Sequence, residues 1–337
     1  MKDPRIELIA PVDLCLPNGQ LNPEAVGWSR HPLHRCNLRG RFLRKKRWHY
    51  WCVTSPSIIL AVTVANVDYA ALGQVYVLDP VTLRFAERTA FRPFGRLRLP
   101  ESPAGDVEYR HGGLEVLMHQ SATGMALRLH SPWLMARPFT AHIEVALPPE
   151  QETLNVVVPW DARTFQFTSK QVGLAATGEI QWGHERFALQ APDAYACLDF
   201  GRGIWPYQTR WNWGAFACRS GGRTLGVNLG GQWTDGTGAT ENGVCIDGRL
   251  HKIHEDVRFI CDLNNVMAPW RIESVGTESV RLNLTPFYDR HVEEDRGILK
   301  SMVHQMFGHF SGTVSVDHEI FTIDHALGWA EEHHARW

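Results

Sequence analysis

Glycine and proline recur so often in this chain that a long helix fits almost nowhere. There are 29 glycines and 19 prolines among 337 residues. They cut the sequence into short apolar, aromatic and β-branched runs bounded by turn residues. Segments 48–53, 58–64, 74–78, 114–118, 126–130 and 141–147 read as strands. In the second half, 211–219 and 223–230 flank Gly221-Gly222 and read as a hairpin. In its second arm Leu225, Val227 and Leu229 alternate with Gly226, Asn228 and Gly230. Glycines opposite an apolar row imply a tightly curved strand or the close approach of a ligand. Asp247-Gly248, between 244–246 and 250–253, predicts a tight hairpin turn. Short helices find room only in 293–300 and the last ten residues. Many short strands with frequent turns make a β-sandwich or barrel.

Composition narrows the function classes. The chain is 44% hydrophobic and 21% charged, ordinary values for a globular protein large enough to bury a sizeable core. A net charge of −2 argues against a dedicated nucleic-acid binder. No apolar run approaches the ~18 residues of a membrane span, and the N-terminus has no apolar core before a cleavage site. Seven scattered cysteines without a Cys-x-x-Cys read as reduced, mostly buried thiols. A cytoplasmic protein is the expectation. Trp48-His49-Tyr50-Trp51 has an echo in Trp211-Asn212-Trp213, offset by 211 − 48 = 163 residues, which suggests two β-domains. The linker-like 148–152 stretch puts the division at 1–152 and 153–337.

Several motifs together carry a resemblance. They are Gly27-Trp28-Ser29 with Pro32, the Arg-Lys-Lys-Arg-Trp run at 44–48, Asp199-Phe200-Gly201-Arg202-Gly203 and Trp205-Pro206-Tyr207. Trp211-Asn212-Trp213, 226–230, Glu241-Asn242-Gly243, 269–272 and 305–308 belong to the same set. As a set they resemble the bacterial domain-of-unknown-function family numbered 2804 over nearly the whole chain. That family is in turn distantly similar to two-barrel, lipocalin-like proteins that include carotenoid hydratases. The resemblance lends fold more than chemistry. It implies an all-β protein of two lipocalin-like β-barrels or curved sandwiches packed side by side, with few short helices.

Two clusters could carry chemistry. The first joins Asp199 and Arg202 to Trp205, Tyr207, Trp211 and Trp213 within fifteen residues. It reads either as a structural Asp199–Arg202 ion pair at a strand end or as a polar pair in an aromatic-walled pocket. In the pocket, desolvation would raise the Asp199 pKa and the rings would stabilise developing positive charge. The second holds Asn228, Asp235, Glu241 and Asn242. Asp235-Gly236 and Asn242-Gly243 have turn chemistry. Glu241, directly before a β-run, is costly to bury and needs a partner, which Arg202 or Arg223 could supply. Asp199 and Glu241 are therefore the candidate acid/base pair, meeting across a barrel lumen, with one protonated near neutral pH. The principal cavity is expected along 199–245.

Other motifs point less far. Among 17 histidines, His251-x-x-His254, His304 with His309, and His333-His334 have the best spacing. Residues three apart on a strand diverge, however, and His-Glu-x-x-His is absent. No metal and no cofactor is expected. The basic run 35–47 reads as a solvated hairpin face or as ion pairs, with a stacking nucleic-acid patch or an anion clamp as alternatives. Phosphate-loop, dinucleotide and Gly-x-Ser-x-Gly signatures are absent.

The functional expectation is a cofactor-independent enzyme on an apolar small molecule, with or without an anionic group. It would act by hydration, dehydration, isomerisation or cyclisation, with Asp199 and Glu241 catalytic. Arg202, Trp205, Tyr207, Trp211, Trp213, Asn228 and Asn242 would line the site. A non-catalytic lipid or isoprenoid carrier is the first alternative, and a carbohydrate-active protein the second.

Overall fold

A computed structural model describes residues 2–94, 97–296 and 299–336. Among these residues the protein is all-β, with one 3-10 turn at Pro23–Ala25 and no α-helix. No helix is long and apolar enough to cross a membrane. Segment 293–300, expected as a helix, instead lies on the facing arms Val280–Arg296 and Leu299–Val316, with residues 297 and 298 outside the described set. The C-terminal stretch is the strand Glu319–Arg336, with Trp337 outside the described residues. The described residues of both stretches pair with neighbouring strands, so cross-strand bonding overrides their modest helical propensity.

The first sheet has thirteen strands, ten of them on one path from Phe85–Pro93 to Val107–His111. That path curls into a near-closed barrel. Its two edges are tied by side chains, with Tyr109 Oη donating to Ala90 O at 2.7 Å and Arg88 Nη2 donating to Gly112 O. Trp51, Phe165, Phe167 and Phe200 help fill its interior. The second sheet has nine strands, from Arg249–Ile253 to Val257–Ile260, curled into a half-barrel around Phe216, Leu225, Trp270 and Phe310.

The chain passes from one sheet to the other between Ile204 and Gln208. The expected division after Glu152 thus falls inside the first sheet, because Leu154–Ile204 still pairs there. The 148–152 stretch has linker composition but is a tethered turn. Glu152 is buried and holds Arg30, Arg249 and the Leu250 N–H.

The sheets pack face to face through a third apolar cluster that includes Cys52, Tyr76, Cys197, Trp213, Phe307 and Trp329. The glycine row of the Arg223–Gly231 strand explains part of this closeness. A Cβ on Gly226 would lie 2.6 Å from Gly173 N in the first sheet. What approaches that glycine is the backbone of the other sheet, not a ligand.

Candidate functional site

Strand alternation decides which side chains meet between the sheets. On Tyr195–Ile204, Phe200 and Arg202 point into the first barrel, so Asp199 points out toward the second sheet. Antiparallel register sets Lys170, Asp199 and Tyr50 side by side on three adjacent strands. Opposite them, register aligns Gly230, Trp213, Glu331, Gln305 and Arg290 across the second sheet. The two rows form a buried polar seam.

Lys170 is the centre of that seam. Its Nζ lies 3.2 Å from Asp199 Oδ1 and 3.2 Å from Glu241 Oε2, and 4.1 Å from the centre of the Trp213 ring. Lys170 is 4% exposed and Glu241 1% exposed. Each carboxylate also takes an indole N–H, Trp48 Nε1 to Asp199 Oδ2 at 3.1 Å and Trp233 Nε1 to Glu241 Oε1 at 2.7 Å. Thr168 Oγ1 donates to Asp199 Oδ1 at 3.1 Å. Glu241 Oε2 has no hydrogen-bond donor among the described residues beyond its ion-pair contact with Lys170. Burial raises the Glu241 pKa, and Lys170 offsets this only in part. Burial pulls the Lys170 ammonium down, but the Asp199 and Glu241 charges outweigh it and the net shift is upward. Farther along, Gln305 Nε2 donates to Glu331 Oε1 at 2.6 Å and to Tyr50 Oη at 3.2 Å. Burial lifts Glu331 to about 7.

Asp199 and Glu241 therefore do come together, but not across the lumen of one barrel. Asp199 is on a strand of the first sheet, Glu241 directly precedes the strand Asn242–Ile246 of the second, and a lysine stands between them. Neither expected arginine is the partner. Arg202 faces the opposite side of its strand, stacks 3.8 Å from the Phe200 ring centre and donates to Trp48 O and Pro100 O at 2.7 and 2.9 Å. Arg223 pairs with Asp247 and Glu319 at 2.9 and 3.1 Å. The Asp199–Arg202 ion pair does not form either, since residues three apart on a strand diverge.

The remaining expected residues divide. Trp213 Nε1 donates to Asn228 Oδ1 at 2.8 Å, and Asn228 Nδ2 to Glu241 O at 2.6 Å, so Asn228 positions both. Trp205 stacks on Trp233 at 5.6 Å and contacts Trp48, Trp160 and Trp211 edge-on. Trp211 packs 3.8 Å from the His333 ring, which burial lowers to about 3 and so keeps neutral. Asn242 braces backbone, accepting from Gly230 N and donating to Glu255 O at 2.7 and 2.9 Å. Tyr207 is 45% exposed, on the link between the sheets. The tryptophans stack on one another and close the site rather than offering open platforms.

Of two cavities, the smaller takes only 215–217 from the expected 199–245 stretch and the larger takes none of it. Adjacent to the seam, Cys52, Cys197, Ala215 and Trp329 help line a cavity of about 10 Å³, room for about one water. A groove of about 720 Å³ runs along Trp28, Arg30, 249–255 and Asp317. His251 pairs with Asp317 at 2.8 Å while His254 packs on Trp28, so the two diverge as strand geometry requires. The basic run is tied in part by ion pairs: the exposed Arg35 pairs with Asp13, and Lys45 and Arg47 pair with Asp68.

Lys170 was missed by the sequence reading, as were its neighbours Thr168, Trp48, Trp233 and Glu331. A signal existed for the lysine, which is the only charged residue between Arg163 and Glu179. A lone lysine in a long β-run is costly to bury without acidic partners.

In fold the chain is similar to an AttH-like protein from Nitrosomonas europaea, with TM-score 0.52 and 14% identity, over 96% of this chain and 98% of that one. Weaker likenesses are to CghA with Sch210972, at TM-score 0.49 and 12% identity over 87% and 88% of the two chains. Kievitone hydratase from Nectria haematococca follows, at 0.45 and 9% over 85% and 88%. The first likeness supports the fold alone, and the weaker two carry no argument about chemistry. No curated protein matches the sequence. The family match is direct, covering residues 5–337, and the chain belongs to DUF2804, a domain of unknown function.

Proposed function

We propose that this protein is an enzyme that works without an organic cofactor on an apolar small molecule, by proton transfer at the Lys170–Asp199–Glu241 cluster. Hydration, dehydration, isomerisation and cyclisation are the reactions such a cluster serves. The carrying observation is Glu241 itself: fully buried, its pKa raised by burial, and with Oε2 bonded, among the described residues, to nothing but the Lys170 charge. A buried carboxyl whose pKa is raised above its ordinary value suits a general acid. Asp199, which takes donors from Trp48 and Thr168 beside Lys170, serves as base or orienter. Lys170 fixes the spacing of the two, and the tryptophan walls exclude water.

A substrate needs more room than the water-sized cavity beside the seam. The reading therefore requires the link 205–207, with Trp205 and the exposed Tyr207, to move aside. Native mass spectrometry of the purified protein, looking for a co-purified lipid, supplies the first substrate to test, and a set of isoprenoid alcohols the next. Turnover by wild type, Asp199→Asn and Glu241→Gln is then followed by chromatography. Wild type is expected to convert one of these molecules, and each variant to be slower by ~10²–10⁴-fold with its melting transition retained. A wild type that binds without converting is a carrier. Variants as fast as wild type make the cluster a structural lock between the sheets.

A further inference from the structure

The hairpin formed by Val280–Arg296 and Leu299–Val316 carries a second group of ligand-type side chains, on the face turned away from the seam. Arg290 and Gln305 point toward the seam, and the residues beside them in sequence point to the concave side of the half-barrel. There His291 pairs directly across with His304, and Asp289 lies two residues before His291 on the same face. Asp289 Oδ2 and His304 Nδ1 are 2.9 Å apart, and the two imidazole rings are 4.2 Å apart. One ligand atom from each of the three residues lies within 4.8 Å of the other two. Asp289 Oδ1 is buried without a hydrogen-bond partner among the described residues.

We propose that Asp289, His291 and His304 bind one divalent transition-metal ion of the zinc class, with a coordination position left for water. Around an ion with bonds of ~2.1 Å, neighbouring ligand atoms sit roughly 3.3 Å apart. The Asp289–His304 pair is already at that scale, and rotation of the exposed His291 ring closes the remaining separations. Two imidazoles and one carboxylate select zinc, cobalt or nickel over magnesium and calcium. The exposure of His291 provides the entry path. Glu332, the cross-strand partner of His304, is held by His334, Asn212 and Gln232 and adds negative charge beside the site. No local sequence spacing announces this set. His304 reaches His291 only through the hairpin register, which is why the histidine motifs gave an expectation of no metal. The site lies on the opposite face from the cluster proposed for catalysis and does not depend on that reading.

The test uses the full chain, stripped with a chelator and returned to chelator-free buffer. Zinc chloride is titrated by calorimetry, and cobalt(II) by its visible absorption. Wild type is expected to bind one equivalent of each, with a cobalt spectrum of nitrogen and oxygen ligation, and zinc is expected to raise its melting temperature. His291→Ala, at an exposed ring, and the isosteric Asp289→Asn should each weaken binding by more than about 100-fold. His251→Ala, a histidine change elsewhere, should leave it intact. Absence of stoichiometric binding in wild type overturns the proposal, as does binding undiminished in both site variants. Asp289–His304 is then an ion pair only.

Discussion

Lys170→Met removes the one cation that stands between two buried carboxylates while keeping the volume of its stem. At 3.2 Å, each of its two ion pairs contributes about 5 kcal/mol at an effective dielectric of about 20. Dehydrating three ions takes several kcal/mol back from each, so the intact cluster lies near break-even. Removing the cation alone is different. Asp199 keeps Trp48 and Thr168, and Glu241 keeps Trp233 and the more distant Lys252 charge, but among the described residues neither retains a directly paired cation. The expected loss is about 3–5 kcal/mol at pH 8, read from urea unfolding. The loss should be smaller at pH 5. In the variant Glu241, whose pKa burial already raises, loses the Lys170 charge that holds it down, so its protonated, less costly form is populated at low pH, and stability falls as pH rises. Adding Glu241→Gln to Lys170→Met should restore on the order of 1–3 kcal/mol, because one orphan charge disappears. A single-variant loss under about 1 kcal/mol would refute the reasoning. So would equal losses at both pH values, or a second substitution that deepens the loss.

Glu331 has its own pH signature. Burial raises it to about 7 from 4.5, against the opposing pull of Lys170 and Arg290. Its folded form holds the proton more tightly than the unfolded chain does. Its contribution is therefore complete below about pH 4.5 and lost as pH climbs through 7, a fall on the order of 3 kcal/mol. Glu331→Gln should flatten the stability profile of the protein across that window, and parallel wild-type and variant profiles would count against it. Gly230→Ala would set a Cβ 2.0 Å from Glu241 Oε1. The displaced carboxyl should lower stability by about 1–3 kcal/mol, and an unchanged melting temperature would show that the contact has slack.

The all-β architecture is legible in the residues alone, because glycine and proline spacing is local and each turn or strand start depends on few neighbours. It also marked Asp199 and Glu241, since a carboxylate among apolar and glycine-rich neighbours stands out wherever the chain later takes it. The echo between Trp48–Trp51 and Trp211–Trp213 was legible too, and its meaning was partly right: those strands belong to different sheets and face each other, Tyr50 packing 5.6 Å from Trp213. Partnership, by contrast, arises only when the two sheets pack. Lys170 lies 71 residues from Glu241 (241 − 170), and only the packing of one sheet on another makes it the shared cation in place of Arg202. The 148–152 stretch looked like a boundary by composition, yet Glu152 is pinned by residues from both directions along the chain. Register did the same for Asp289, His291 and His304, which no spacing rule groups. Alternation along one strand can be read from its residues. Which strand lies opposite is set by the balance of burial, charge and close backbone approach over the whole chain, and that balance exists only in the folded state.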